Sequence, residues 1–206
     1  MRKILMCLRC TGSEIAFSNM KSKIFSLLFI GVIGIIPFVR SESLSPVSLR
    51  KFVDKADVIA YIHVLDVKEI IINENKKGIV KVKVVELVQG KTENDTLIIF
   101  YEPNMSCPLD ASYEKGTKAL VFLDRIEKGY KTSSMSLGKK MLNEFEFSKY
   151  KLRIKELHEI NKLKNEEQIV DKTIEWLITC AQDSVTEWEG SYDLVDEYGY
   201  LYERDE

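Results

Sequence analysis

The stretch "DVIAYIHVLDVKEI", Asp57 to Ile70, alternates with a period of two, yet both of its faces begin apolar. Val58, Ala60, Ile62 and Val64 share one face, while Tyr61, His63, Leu65 and Val67 share the other. A strand that faces water on one side carries one polar face. A strand with two apolar faces is covered on both, as in a small closed barrel or a covered sheet.

The following segments extend this pattern. After the polar loop Asn73–Gly78, "IVKVKVVELV" (Ile79–Val88) alternates and slips at Val84–Val85, where a bulge or a change of burial is expected. Gln89-Gly90-Lys91 turns the chain into a third strand, "DTLIIFY" (Asp95–Tyr101). A long loop leads to a fourth strand, Lys118–Asp124, whose centre Ala119–Leu123 is wholly apolar. Glu127-Lys128-Gly129 turns into a short fifth strand, Tyr130–Ser133.

Helical signals flank the strands. Ser45–Ala56 reads as a short helix with Ser45 as N-cap, Pro46 at the first helical position, and Leu49, Phe52 and Val53 on one face. Ser148–Leu163 carries Tyr150, Ile154, Leu157 and Ile160 at helical spacing. Asn165-x-x-Gln168 matches a capping box ahead of a second helix, whose stripe runs from Ile169 to Ala181. Trp176 beside that stripe is assigned to the core. The expected fold is therefore α+β: a five-stranded antiparallel β-barrel of the OB type with a C-terminal helical hairpin.

The N-terminus reads as an export signal. A basic start, Met20-Lys21-Ser22-Lys23, precedes the uncharged apolar run "IFSLLFIGVIGIIPFV" and then "RSES". A membrane-spanning helix wants about 20 apolar residues, so a cleaved signal is expected, with an uncleaved anchor as the alternative. Met20 is a possible true start. The expected organisation is signal 1–43, barrel 44–145 and helical extension 146–206, in a secreted, periplasmic or cell-envelope protein. From Leu44 on, 24 Lys and Arg face 30 Asp and Glu, a net charge of −6. That balance disfavours nucleic acid and anionic membranes as partners.

The residues show no catalytic constellation. His63 and His158 fall in different elements and make no metal spacing. No nucleophile elbow and no Gly-rich phosphate loop is present, and no cofactor is implied. The acidic tail holds Trp188, Tyr192, Tyr198 and Tyr200, which are candidate partner-binding residues because aromatic side chains are enriched at interfaces. The alternative is that Trp188 and Tyr192 fold back on the core.

"FVDKADVIAYIHVLDV", "VKVVELVQGKTENDTLIIFYEP" and "CPLDASYEKGTKALVFLDRIEKGYKTSS" together resemble the netrin-like domain of the tissue inhibitors of metalloproteinases, over about residues 52–134. The resemblance implies an OB-fold barrel; the export signal, the barrel pattern and the lack of a catalytic constellation point to a protein or extracellular ligand as partner. In those inhibitors a cysteine at the mature N-terminus bonds the protease zinc. Here the expected mature start is Glu42 or Leu44, and no cysteine lies between it and Cys107. An exported, non-catalytic binding module is the expected function. A metalloprotease inhibitor using another surface, or an envelope hydrolase, is the alternative. In the family a cysteine at the place of Cys107 is commonly disulfide-bonded. The resemblance thus implies a bond from Cys107, with Cys180 the mate left after signal removal; two separate thiols are the alternative.

Overall fold

The structure is a computed structural model in which residues 46–72, 75–104 and 110–196 are described. The proposed signal segment 1–43 lies outside them. Helix α1 (Leu49–Lys55) precedes strands β1 (Val58–Ile72), β2 (Asn75–Gln89), β3 (Thr96–Tyr101), β4 (Lys118–Ile126) and β5 (Gly129–Thr132). A 3-10 turn (Met135–Gly138) and a short strand β6 (Lys139–Lys140) follow. Helices α2 (Glu144–Ile160), α3 (Glu166–Gln182) and α4 (Glu187–Asp196) end the described chain. None of the described helices is long and apolar enough to cross a membrane.

The fold is α+β, with a six-stranded mixed sheet. β1 pairs with β2 on one edge and β4 on the other, so the order β1-β2-β3-β5-β4 returns to β1 as a ring of five strands. The expectation of a wholly antiparallel ring fails at one place: β3 and β5 run parallel. The reason is parity. Directions can alternate around a closed ring only if the number of strands is even, so five strands force one parallel pair. β6, which pairs with Leu120 and Val121 of β4, was not expected from the sequence. Its two lysines carry no period.

Both faces are buried over Val58–Ile62 of β1 and Ala119–Leu123 of β4, where the sequence is apolar on both, while Lys68–Ile71 of β1 are exposed. Val58, Ala60, Ile62 and Val64 point into the ring against Val80, Val82 and Ile99. Ile59 and Tyr61 of β1, with Leu120 and Phe122 of β4, face outward and pack under α1, α2 and α3. Each such aliphatic side chain contributes about 1.5–3 kcal/mol when fully withdrawn from water. The slip at Val84–Val85 is a bulge. Tyr61 pairs with Glu86 and Ile62 with Val84, which leaves Val85 without an opposite residue. Gly90 makes the following turn with φ +85°. A Cβ there would stand 2.2 Å from the Asp57 carbonyl oxygen, so only glycine fits.

The helices differ from expectation at their ends. α1 starts at Leu49, not near Ser45. Its N-cap is Ser48, whose hydroxyl accepts from Lys51 N at 3.4 Å, and Pro46 lies before the helix. α2 starts at Glu144 because Asn143 and Glu146 form a reciprocal capping box, with bonds of 2.9 and 2.8 Å. Asn165 caps α3, accepting from Gln168 N at 3.1 Å, but the reciprocal Gln168 side-chain bond of the expected capping box is not formed. α2 and α3 run antiparallel: the Trp176 indole donates to the Arg153 carbonyl at 3.0 Å, and Lys149 meets Asp183 at 3.1 Å. Trp176 is buried, as assigned.

Gln89 ties β2, α1 and α2 together. Its amide nitrogen donates to the Val53 and Ala56 carbonyls, both at 2.9 Å, and so satisfies acceptors at the end of α1. Its amide oxygen accepts from His158 Nε2 at 2.7 Å. Burial holds His158 below its ordinary value of 6.5, and the Lys162 ammonium acts in the same direction, against Glu159 and Asp54. The fold therefore favours neutral imidazole. This contribution to stability is complete above pH 6.5 and is lost as pH falls from 6.5 through the lower folded value. Urea unfolding at pH 7.5 and 5.5 checks it: His158→Gln is expected to lose less stability than the unaltered chain between these two conditions.

Candidate functional site

β3 and β5 pair over two positions only, Ile99 with Tyr130 and Phe100 with Lys131. Around the C-terminal ends of these parallel strands lies a cleft of about 680 Å³. That is within the usual range for small-molecule sites. Phe100, Ile126, Ile70 and Met135 give it apolar walls. Below lie Tyr101 and Tyr113, packed edge to face with centroids 6.1 Å apart. The Tyr113 hydroxyl shares a 2.7 Å hydrogen bond with Thr132 Oγ1, and burial raises its pKa well above the ordinary tyrosine value.

Charge around the cleft is mostly paired inside the protein. Lys77 pairs with Glu102. The Asp110 carboxylate accepts from Glu102 N at 2.6 Å and from Ala111 N at 2.7 Å. Lys131 stands 3.9 Å from Asp124. Lys128 and Glu127 lie at the β4–β5 turn, and no ion pair joins Lys128 to a carboxylate among the described residues.

One wall is a turn with unusual backbone. Ser134 and Met135 have φ of 50° and 57°, adjacent non-glycine residues in the left-handed region. Such conformations cost about 1–3 kcal/mol each, and they gather at ligand clamps and switches. Here the surroundings impose them. Ser133 N donates to the Phe122 carbonyl at 2.8 Å, and the Ser133 hydroxyl donates to Asp124. Gly138 lies so close that a Cβ would stand 2.0 Å from the Ser133 carbonyl oxygen. Gly138→Ala is expected to push this turn aside and to cost about 1–3 kcal/mol, measured as a lower urea midpoint with unchanged helix content.

α4 presents a second surface. Trp188, 48 % exposed, stacks on Tyr192 with centroids 5.0 Å apart, and the Lys140 ammonium lies 5.7 Å from the Trp188 ring. The opposite side of the helix carries buried carboxylates. Glu189 is 1 % exposed. Its Oε1 accepts from Lys140 at 2.6 Å and from the Tyr150 hydroxyl at 3.0 Å, and its Oε2 accepts from Leu49 N at 2.9 Å. Asp193 lies 3.4 Å from Arg50. Gly190 lets α4 approach α3 closely: a Cβ would stand 2.3 Å from the Leu177 carbonyl oxygen. The tail thus folds back as a helix, while its aromatic pair points outward. Tyr198 and Tyr200 lie outside the described residues, so the structure unites two of the four aromatic candidates.

Cys180 is a free, buried thiol, and Cys107 lies outside the described residues. Burial pushes the Cys180 thiol up to about 12, despite the opposing Arg153 charge, so it is not a thiolate at neutral pH. Among the described residues, no group of three or more His, Cys, Asp or Glu is placed to hold a metal ion. The Ser134–Met135 turn and the buried Glu189 escaped the sequence reading. "SSMSLG" offered only its closing glycine as a signal, and Glu189 sits in a uniformly acidic segment.

No protein-family model matches the chain. No curated protein matches it either.

Proposed function

We propose that the chain is an exported, non-catalytic binding module on an OB-type barrel similar to the netrin-like domain, and that it seats its ligand in the cleft at the ends of β3 and β5. The closed order of five strands supports the OB-type reading, because β1 bridges β2 and β4. The apolar run at residues 24–39 supports export. The observation that carries the site is the imposed left-handed backbone at Ser134 and Met135 on the wall of an apolar cleft. A simple turn would relax into unstrained geometry or use glycine.

Native mass spectrometry of the protein from its host's exported fraction tests this function. The expected result is a small-molecule adduct that Met135→Trp removes by filling the cleft. An adduct-free chain, or one that turns over ester, peptide or glycoside substrates, overturns it.

A further inference from the structure

Resting on the cleft reading, we infer that the ligand is a small amphipathic anion. Its apolar body lies against Phe100, Ile126 and Met135, and its anionic group lies between the Lys128 and Lys131 ammonium groups. The assignment follows from which charges are already engaged. Glu102 is neutralised by Lys77, and two backbone N–H groups hold Asp110. Lys131 has only a loose contact with Asp124 at 3.9 Å. Among the described residues Lys128 has no ion-pair partner, and Glu127 is the one cleft carboxylate with neither a cation nor a backbone donor on it. Lys128 and the loosely held Lys131 therefore face a single unpaired carboxylate among the described residues, Glu127, on the β4–β5 side.

The positions of the two lysines fit this role. Lys128 is in the β4–β5 turn and Lys131 is in β5, three residues further on. Both border the same cleft as Ile126 and Met135. An anion there gains from both ammonium groups while its body stays on the apolar walls. The chain as a whole is acidic, so attraction of an anion must come from this local arrangement and not from net charge. The cleft volume of about 680 Å³ accommodates a body of two or three rings.

Fluorescence titration of the purified chain tests the inference with two dyes. Anilinonaphthalene sulfonate is the anion, and N-phenylnaphthylamine has the same rings without charge. The anionic dye is expected to bind more tightly than the neutral one. Lys128→Glu combined with Lys131→Glu is expected to weaken the anionic dye about tenfold and to leave the neutral dye unchanged. Both lysines are exposed, so the urea midpoint of this variant serves as the folding control. Met135→Asn suits left-handed backbone and removes apolar surface; it is expected to weaken both dyes several-fold. Equal affinity for the dyes, or no effect of the lysine changes, overturns the anion assignment while the cleft reading stands. Failure of both dyes to bind, or binding untouched by Met135→Asn, overturns the cleft reading itself.

Discussion

Glu189→Ala is expected to lower stability by about 3–5 kcal/mol, the cost of breaking a buried ion pair by removing one partner. The Glu189 carboxylate serves three donors from three elements: Lys140 of β6, Tyr150 of α2 and Leu49 N at the start of α1. Alanine leaves the Lys140 ammonium, 19 % exposed, without its carboxylate and deprives a buried N–H at the head of α1 of its acceptor. It also unfastens α4, whose remaining charged tie to α1 includes Asp193 with Arg50. Glu189→Gln retains an acceptor for Leu49 N but loses the charge, so it should fall between the two. Guanidinium unfolding of the three proteins gives the order directly. Equal midpoints for all three would show that the pair adds nothing beyond its own desolvation cost.

Phe122→Ala is expected to cost about 3–5 kcal/mol. Phe122 is fully buried on the outward face of β4 and stacks on Phe52 of α1 with centroids 4.6 Å apart. The ring fills the space between sheet and helix, and the helix is held at its start by Glu189 and at its end by Gln89. The surroundings therefore cannot collapse into the vacancy, which places the cost toward the upper end of that range. Phe122→Leu retains much of the volume and should cost less than half as much. Hydrogen exchange should show the loss first in α1, because that helix has seven residues and little stability of its own.

The ring was legible in the sequence because its strands carry a strong period. Val58 to Val64 and Ala119 to Leu123 are apolar on both faces, and the structure buries both faces, one inside the ring and one under the helices. The bulge at Val85 was legible for the same reason, since one residue out of phase shifts the pattern. Strand directions were not legible side by side. The parallel pair of β3 and β5 follows only once the ring is known to close on five strands. Helix ends were read least well. Ser48 and Asn143 outcompeted the expected starts through side-chain caps that periodicity does not register.

The candidate site was less legible than the fold. Trp188 and Tyr192 stood out as aromatic residues in an acidic tail, and the structure does display them together. Nothing in the sequence distinguished Glu189 and Asp193 from the carboxylates around them, although these two are buried and the others nearby are not. The cleft is made by the ends of two parallel strands and by a turn whose first residue, Ser133, is held by contacts to the neighbouring strand β4, at Phe122 and Asp124. Such a site has no local sequence signature. Gly138 is its one readable trace, required because Ser133 packs against it.

The central claim is that the cleft at the ends of β3 and β5 seats the ligand. Amide chemical-shift mapping during titration with anilinonaphthalene sulfonate tests it most directly. The account predicts that the shifted amides cluster at Phe100 to Glu102, Ile126 to Lys131 and Ser134 to Met135. Shifts centred instead on Trp188 and Tyr192 of α4, with the cleft amides unmoved, would contradict it.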